Sequence, residues 1–222
     1  GDDVFGVATG ARRARGADIA AEIEISLEEA ASGVTQSVPV QVAIPCAECG
    51  GDGVQPGTSA STCEDCGGTG HIQHISRTAF GEFIRSQACP RCQGTGRVIE
   101  HPCETCSGAG RVLEERTLDV EVPTGIHDGQ RIRLSGEGHA GPLGGKSGDL
   151  YVLVRIRPHE RLVREGDDLY STVDLTMTQA ALGTRVNVPT LDGALEPEFA
   201  AGTQPGEVRT QRGRGTPVLQ GS

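Results

Sequence analysis

The sequence predicts a mainly β protein in which one β unit occurs twice and a cysteine-rich segment interrupts the first copy. Three observations support this fold class. Apolar and polar residues alternate over several stretches, as they do in half-buried strands. Groups of residues recur at constant offsets along the 222-residue chain. All eight cysteines lie between residues 46 and 106.

Composition narrows the possible functions. The chain has 33 glycines, no Trp, two Tyr and four Phe, which favours thin sheet-based modules over one deep core. It has no apolar run near the roughly 18 residues that a membrane span needs and no signal-peptide core, so we expect a cytoplasmic protein without a membrane partner. The formal charge of −10 disfavours nucleic acid as a partner, because a phosphate-binding face is normally basic.

The chain begins with a segment that lacks apolar periodicity. Residues 1–17 contain mainly Gly, Ala and a short arginine cluster. We expect a flexible leader in which Arg12, Arg13 and Arg15 are solvated, rather than an arm that binds nucleic acid.

Two strands flanking a short helix are predicted next. Apolar residues occupy alternate positions of the first stretch: Ile19, Ala21, Ile23, Ile25 and Leu27. Ser26 then has the properties of a helix N-cap, with Glu29 three residues later and Gly33 at the C-terminal stop. A second alternating stretch from Val34 to Ile44 runs directly into the first cysteine.

The eight cysteines form four copies of the pattern Cys-x-x-Cys-x-Gly-x-Gly, which begin at Cys46, Cys63, Cys89 and Cys103. Two thiolates separated by two residues can bind one tetrahedral Zn²⁺ from the same tight turn, and two such turns complete a closed site. The glycines supply the positive φ, or the close backbone approach, that the turn needs. The four turns therefore predict two structural zinc ions.

Other uses of these cysteines are less favoured. A disulfide framework is disfavoured because the cysteines are confined to one short stretch of a larger, unexported chain. His71 and His74 follow the second motif, but eight thiolates already suffice, so we expect both to be solvated. Four thiolates leave no open position for water, so hydrolytic chemistry is not expected. The segment has little core of its own, so zinc would supply its folding free energy.

The β pattern resumes after Gly110 and then repeats. Alternation from Arg111 to Val122 predicts another strand, and the stretch from Gly148 to Ile156 predicts one that ends at Arg157-Pro158. The pattern from Asp18 to Gly33 recurs from Asp168 to Gly183 at an offset of 150 residues. A second set of matches has an offset of 77 residues: Gly125, Gly129, Gly136 and Gly138 correspond to Gly202, Gly206, Gly213 and Gly215.

The chain thus contains two copies of one β unit, and only the first carries the cysteines. Shifted by 77 residues, the counterpart of Asp149 would lie past Ser222. Either the second copy ends differently or the sequence is a piece of a longer chain, and we favour the second explanation.

These features together resemble the DnaJ (Hsp40) co-chaperones of the class that has a zinc-finger module. The resemblance spans residues 18–222 and rests on the four cysteine motifs and on three shorter segments: the turn at Pro123–Gly129, the Gly148-Asp-Leu strand and the sequence Gly166-Asp-Asp-Leu169. It implies two tandem β-sandwich or barrel-like subdomains, with a β-hairpin zinc module inserted in the first. The implied boundaries are 18–45 plus 111–157, 46–110 for the zinc module, and 158–222.

The resemblance also implies nested metal sites. Cys46, Cys49, Cys103 and Cys106 would bind one Zn²⁺, and Cys63, Cys66, Cys89 and Cys92 the other. Spacing alone leaves sequential pairing open, although a hairpin insertion with adjacent ends favours nesting.

The function implied is that of a non-enzymatic co-chaperone, which binds unfolded protein clients and presents them to an Hsp70 (DnaK-type) partner. The client-binding positions implied are Ile19, Val38, Val40 and Leu162. Core packing is an equal alternative for the first three, whereas Leu162 interrupts a polar linker and is expected to be exposed.

Two parts of the family pattern have no match. The family's His-Pro-Asp loop is missing, since the only His-Pro is His101-Pro102, so we do not expect this chain alone to stimulate Hsp70. The dimerisation segment would follow Ser222, so a homodimer is expected of the intact protein and not of this chain. Two alternative functions are a thiol–disulfide oxidoreductase that uses the CxxC pairs and a zinc-dependent nucleic-acid-binding module.

Overall fold

The computed structural model of the chain describes residues 14–78 and 81–219, and the side chains of all of these except residues 75–78 and 81–84. Most of the expected leader, including Arg12 and Arg13, lies outside the described residues. The chain divides into two compact units. Within the described residues, one contains residues 14–19, Val40–Arg116 and Arg133–Leu150, and the other contains Ala20–Pro39, Thr117–Ile132 and residues 151–219.

The first predicted elements are confirmed. Strand β1 spans Ile19–Ile25, helix α1 spans Leu27–Ser32 and strand β2 spans Val34–Pro45. Helix α1 begins at a capping box, in which the Ser26 hydroxyl accepts the Glu29 N–H and the Glu29 carboxylate accepts the Ser26 N–H.

The cysteine-rich segment is built from antiparallel strand pairs. Short strands β3 (Ser61–Thr62) and β6 (Arg97–Val98) pair with each other. Between them, β4 (His71–Thr78) and β5 (Gly81–Ala88) form a longer ladder that runs from His71 opposite Ala88 to Thr78 opposite Gly81. A hairpin insertion is therefore present, as the resemblance implied.

The remaining strands of the first repeat are β7 (Arg111–Val122), β8 (Arg131–Leu134) and β9 (Leu150–Ile156). A single 3-10 turn at Pro142–Gly144 precedes β9. Strands β2 and β7 pair with each other, and a three-stranded sheet has the order β1-β9-β8. The prediction of a mainly β fold is thus confirmed.

The second repeat consists of shorter strands around one helix. Strands β10 (Val163–Glu165) and β11 (Asp168–Tyr170) form a hairpin, and helix α2 spans Met177–Leu182. Two further antiparallel pairs follow: β12 (Thr184–Arg185) with β15 (Glu198–Phe199), and β13 (Val188–Thr190) with β14 (Gly193–Leu195).

Backbone geometry reproduces the sequence duplication. Thr176 and Gln179 form a capping box at α2, as Ser26 and Glu29 do at α1. The glycines that end the two helices have φ values of 79° and 83°. The Gly125 N–H donates to the Ala30 carbonyl and the Gly202 N–H donates to the Ala180 carbonyl, both at 2.8 Å. Equivalent hydrogen bonds at both offsets show that the two copies share one local fold.

The core follows the alternation of the first repeat. In β1, Ile23 and Ile25 are 5% and 0% exposed, and the adjacent helix buries Leu27 and Ala30. Buried residues of the other strands of this repeat are Val38, Val40, Val42, Ala43, Val120, Val122, Leu150, Val152 and Val154. Among the described residues, no helix is long and apolar enough to cross a membrane.

The expectation for Leu162 is wrong, and the expectation for Arg15 is only partly right. Leu162 is buried, with 6% of its surface exposed, because the chain around it packs into the second repeat instead of forming a solvated linker. Arg15 is exposed, as expected, but it is not a free linker residue, since its guanidinium lies 2.9 Å from the buried carboxylate of Asp149. The neighbouring Gly16 N–H donates to the Lys146 carbonyl at 2.8 Å, so the end of the expected leader is docked.

Candidate metal centres

The eight cysteines lie in two groups of four. In each group the sulfur atoms are all within 4.8 Å of one another. The first group consists of Cys46, Cys49, Cys103 and Cys106, and the second of Cys63, Cys66, Cys89 and Cys92. The structure therefore brings together the nested sets that the family resemblance implied, and not sequential pairs of motifs.

Sulfur distances within the groups match a tetrahedral metal site. The Sγ atoms of Cys46 and Cys103 are 4.0 Å apart, and those of Cys49 and Cys106 are 3.8 Å apart. Both corresponding pairs in the second group are separated by 3.8 Å. A Zn–S bond of about 2.3 Å in a regular tetrahedron places its ligands about 3.8 Å apart, whereas a disulfide requires about 2.05 Å. The spacing suits coordination and excludes disulfides in this structure.

Backbone N–H groups point at the second sulfur of each motif. The last glycine of the motif donates to it, from Gly53 to Cys49 and from Gly70 to Cys66, at 3.3 Å in both cases. Gly96 and Gly110 make the same 3.3 Å bond to the second sulfur of their own motifs. Such donors stabilise a thiolate, so these turns are built for the ligand form of cysteine.

The two turns of each group also interlock. The N–H of Cys46 donates to the carbonyl of Gly110, and the N–H of Cys103 donates to the carbonyl of Gly53, at 3.0 and 2.9 Å. The second group has the equivalent bonds, from Cys63 to Gly96 and from Cys89 to Gly70. Each group is therefore a symmetric pair of turns that holds its shape through main-chain hydrogen bonds.

Glycine is required where the two turns touch. The last glycines of the motifs have φ values between 71° and 79°. A Cβ added at Gly96 would collide with the carbonyl oxygen of Gly68, and one added at Gly70 would collide with that of Gly94. The prediction that these glycines provide positive φ and close approach is thus confirmed.

Burial and hydrogen bonding set the thiol pKa values of the metal-free protein. Burial raises the pKa of Cys63 to about 11, and it raises that of Cys106 likewise to about 11. Burial opposes ionisation of Cys66 as well, but the N–H groups of Gly70 and Gly68 help to bring its pKa down to about 7. A bound divalent cation would hold all four sulfurs of a group as thiolates.

Side chains between the cysteines link the paired turns on the outside. Arg91 contacts Asp65 at 3.0 Å and Glu64 at 3.3 Å. In the first group, the Thr105 hydroxyl donates to the Glu48 carboxylate at 2.8 Å. The residues concerned are exposed, so each contact contributes little to stability. His71 and His74 are exposed, as expected of solvated side chains.

Comparison with known families decides the classification. Residues 19–222 match the family described as "DnaJ C terminal domain". The chain belongs to the DnaJ C-terminal domain family. This agrees with the resemblance inferred from the cysteine motifs and the duplicated β unit.

Curated relatives of this DnaJ C-terminal domain chain have similar sequences over nearly all of its length. "Chaperone protein DnaJ 2" of Streptomyces avermitilis is 46% identical over 99% of the chain, which covers 59% of that protein. "Chaperone protein DnaJ" of Agrobacterium fabrum is 46% identical, with the same two shares. "Chaperone protein DnaJ" of Rhizobium meliloti is 48% identical over 95% of the chain, which covers 55% of that protein. The chain thus spans less than two thirds of the length of these relatives.

The client-binding positions implied by the resemblance are mostly covered in this DnaJ C-terminal domain. Val38, Val40 and Leu162 are 4%, 8% and 6% exposed, and Ile19 is partly exposed. A buried side chain contacts a client only after the protein moves, so Ile19 is the most accessible of the four. Their role as client-binding residues stays a prediction.

Proposed function

We propose that this chain is the client-binding part of a DnaJ-type co-chaperone. It binds unfolded or non-native polypeptides and presents them to an Hsp70 partner, without enzymatic activity of its own. The family match over residues 19–222, together with the two four-cysteine groups, supports this proposal most strongly. The chaperone names of the similar proteins point in the same direction.

Two zinc ions have a structural role in this proposal. The group that begins with Cys46 binds one and the group that begins with Cys63 binds the other. Four sulfur ligands close each coordination shell, so the metal contributes folding free energy and offers no site for substrate. Two short segments, Cys46–Val54 and Cys63–Gly70, contain few apolar residues that could stabilise their turns without metal.

Client binding would use the edges of the β units. An extended polypeptide can add to an exposed strand edge through main-chain hydrogen bonds, while pockets select its apolar side chains. Ile19, at the start of β1 and partly exposed, is the candidate contact in the first repeat.

A thiol–disulfide oxidoreductase is the alternative that the Cys66 pKa of about 7 favours, because such a thiol is partly ionised near neutral pH. Coordination by zinc would block this chemistry. Insulin reduction measured on the zinc-saturated protein separates the two functions. Turnover that persists under zinc saturation would support the oxidoreductase.

An aggregation assay tests the proposed function. The zinc-loaded chain is mixed with a chemically denatured client, and light scattering is followed without ATP. We expect suppression that saturates with chain concentration, and weaker suppression by Ile19→Ser. Leu113→Ser is the matched control, because Leu113 is an exposed apolar residue on β7. Unchanged scattering at a large excess of the chain would contradict client binding.

Presentation to Hsp70 needs a second readout. A fluorescent client held by the chain should leave the complex on addition of a DnaK-type Hsp70, its ATP and a separate J-domain protein. Omitting the chain should slow uptake of the client by Hsp70. Equal uptake with and without the chain would limit its role to holding clients.

A further inference from the structure

Residues 14–18, which we call the strap, are docked along a loop of the first repeat. The Gly16 N–H donates to the Lys146 carbonyl at 2.8 Å. In the opposite direction, the His139 N–H donates to the Ala17 carbonyl at 3.0 Å. Main-chain hydrogen bonds that run both ways therefore attach the strap to residues 139–148, which we call the bracing loop.

The strap and the bracing loop approach so closely that a side chain has no room between them. A Cβ added at Gly16 would collide with the carbonyl oxygen of His139. From the other side, a Cβ added at Gly145 would collide with the carbonyl oxygen of Ala14. Neither Gly16 nor Gly145 has a positive φ. Glycine is therefore required here for close contact and not for a special backbone conformation.

The bracing loop also contacts the first cysteine group. A Cβ added at Gly53 would lie 2.9 Å from the Leu143 side chain, and one added at Gly110 would lie 3.2 Å from the Leu143 nitrogen. Gly53 and Gly110 are the last glycines of the two outer motifs, which pair in this group. Leu143 thus packs at the place where the two turns of the first metal site interlock.

Hydrogen bonds fix the bracing loop to the two strands that enter and leave the cysteine-rich segment. On β2, the Ala43 carbonyl accepts the Ala140 N–H at 2.7 Å, and the Ala43 N–H donates to Nδ1 of His139 at 2.9 Å. On β7, the Arg111 guanidinium donates to the Ala140 carbonyl at 2.8 Å. A displacement of the loop would therefore disturb the backbone on both sides of the first cysteine group.

The interlocking glycines of the second cysteine group have their nearest neighbours in their own turns. The three atoms nearest to a Cβ added at Gly70 all belong to Gly94, and those nearest to one added at Gly96 all belong to Gly68. A change in the bracing loop should therefore reach the first metal site and not the second, which gives an internal comparison.

We propose that docking of the strap and zinc binding by the first cysteine group are coupled through the bracing loop. A docked strap keeps the loop against the turns of the first group, and bound zinc keeps these turns in the arrangement that the loop fits. Such coupling is reciprocal, so zinc in the first group also favours the docked strap. A partner that captured residues 14–18 would loosen the first zinc and leave the second in place. The coupling rests on the zinc binding proposed above.

Gly16→Ala tests the coupling in two proteins that retain one metal site each. Cys63→Ser with Cys89→Ser leaves only the first group, and Cys46→Ser with Cys103→Ser leaves only the second. Competition with a colorimetric chelator measures the zinc affinity of each protein with and without Gly16→Ala. We expect Gly16→Ala to lower the zinc affinity of the first group by about fivefold or more, as for a typical coupling between sites, and to leave that of the second unchanged.

Gly136→Ala is the matched control for a general effect on the first repeat. Gly136 has a φ of 82°, so alanine strains the backbone there, but an added Cβ would meet no atom within 4 Å. The control should leave the zinc affinity of the first group unchanged. An equal loss with both variants, or an equal loss from both metal sites, would overturn the coupling.

Amide hydrogen exchange measures the reciprocal effect without a substitution in the strap or the loop. In the protein that lacks the first metal site, exchange of the Gly16 and His139 N–H groups should be faster than in the protein that lacks the second. Protection of Val152 should persist in both, because this residue is fully buried in β9. Equal exchange at Gly16 in the two proteins, or loss of protection at Val152 as well, would overturn the coupling.

The same measurements separate this coupling from the proposed function. A first cysteine group that binds no zinc would overturn both the coupling and the structural role of that ion. Zinc binding that is indifferent to Gly16→Ala would remove the coupling alone and leave the metal site and the chaperone role intact.

Discussion

At the scale of single residues, the last glycine of each cysteine motif determines the backbone shape of its turn. The last glycine of each motif has a left-handed φ, donates to its own cysteine sulfur and lies against a carbonyl of the paired turn. A side chain at that position would alter all three features together. The motif thus specifies the backbone of the site as well as its ligands.

Gly96→Ala tests whether the last glycine of a motif is required for its metal site. The added Cβ would collide with the Gly68 carbonyl, so we expect loss of the zinc bound by the second group, and one zinc per chain instead of two. Gly57→Ala is the control, because Gly57 also has a positive φ of 87° but an added Cβ would meet no atom within 4 Å. It should cost about 1–2 kcal/mol of conformational energy and retain both ions. Zinc release to a colorimetric chelator measures the difference, and equal release by both variants would contradict the steric argument.

Asp149 is a buried carboxylate whose ionised form stabilises the folded protein. The Gly136 N–H chiefly lowers the pKa of this carboxyl, with Arg15 and Arg133 adding to the effect and burial opposing it. Because the folded pKa lies below the unfolded value of about 3.9, the ionised group stabilises the protein above that pH. This contribution is lost as pH falls through the folded pKa.

We therefore expect the free energy of unfolding of the wild-type chain to fall more steeply than that of Asp149→Asn as pH is lowered from about 5 to about 3. Urea unfolding of both proteins across this range measures the two slopes. Parallel curves would show that Asp149 does not titrate differently in the folded state.

At the scale of elements, the caps of the short helices are the clearest case of local sequence determining structure. Helices α1 and α2 have six residues each and begin at capping boxes 150 residues apart. Helices this short are unstable alone, so the caps and the buried residues of α1 must stabilise it together.

Ser26→Ala removes the hydroxyl that accepts the Glu29 N–H. We expect the free energy of unfolding of the zinc-loaded protein to decrease by about 0.5–2 kcal/mol. Ser32→Ala, at the exposed end of the same helix, should change it by less than about 0.5 kcal/mol. Chemical denaturation measures the free energy of unfolding of both variants. An equal decrease in the two would show that any substitution in this helix destabilises the protein, and that the cap has no special role.

The elements that the sequence predicts correctly are those with a local, periodic signal. Alternation predicts β1, β2, β7 and β9, and the cap residues predict α1. Features that depend on a long-range contact have no such signal. Nothing in the linker around Leu162 shows that the residue is buried in the second repeat, and nothing near Arg15 shows that its partner is Asp149, which lies far along the chain.

The nested cysteine groups show the same limit. The motifs predict metal ligands from their spacing, but four similar turns can pair in more than one way. Topology decides, because the β4–β5 ladder brings the second and third motifs together and the β2–β7 pair brings the first and fourth together. The ladder itself is made largely of polar residues, so its strands give a weak sequence signal.

At the scale of the whole molecule, removal of zinc should unfold one part of the chain and leave another part folded. A chelator should abolish hydrogen-exchange protection in residues 46–110, since these turns have little core. Protection of β9 should remain, because Leu150, Val152 and Val154 are fully buried and belong to neither of the apolar clusters that surround the cysteines. If protection were lost from β9 together with residues 46–110, folding of the repeats would also depend on zinc.

Native mass spectrometry of paired variants tests the nested zinc sites most directly. The wild-type chain should contain two zinc ions. Cys46→Ser with Cys103→Ser removes ligands from one group and should leave one zinc, whereas Cys46→Ser with Cys63→Ser damages both groups and should leave none. The opposite result for the two pairs, or a wild-type chain that contains no zinc and is lighter by two hydrogens for each disulfide, would contradict the nested sites.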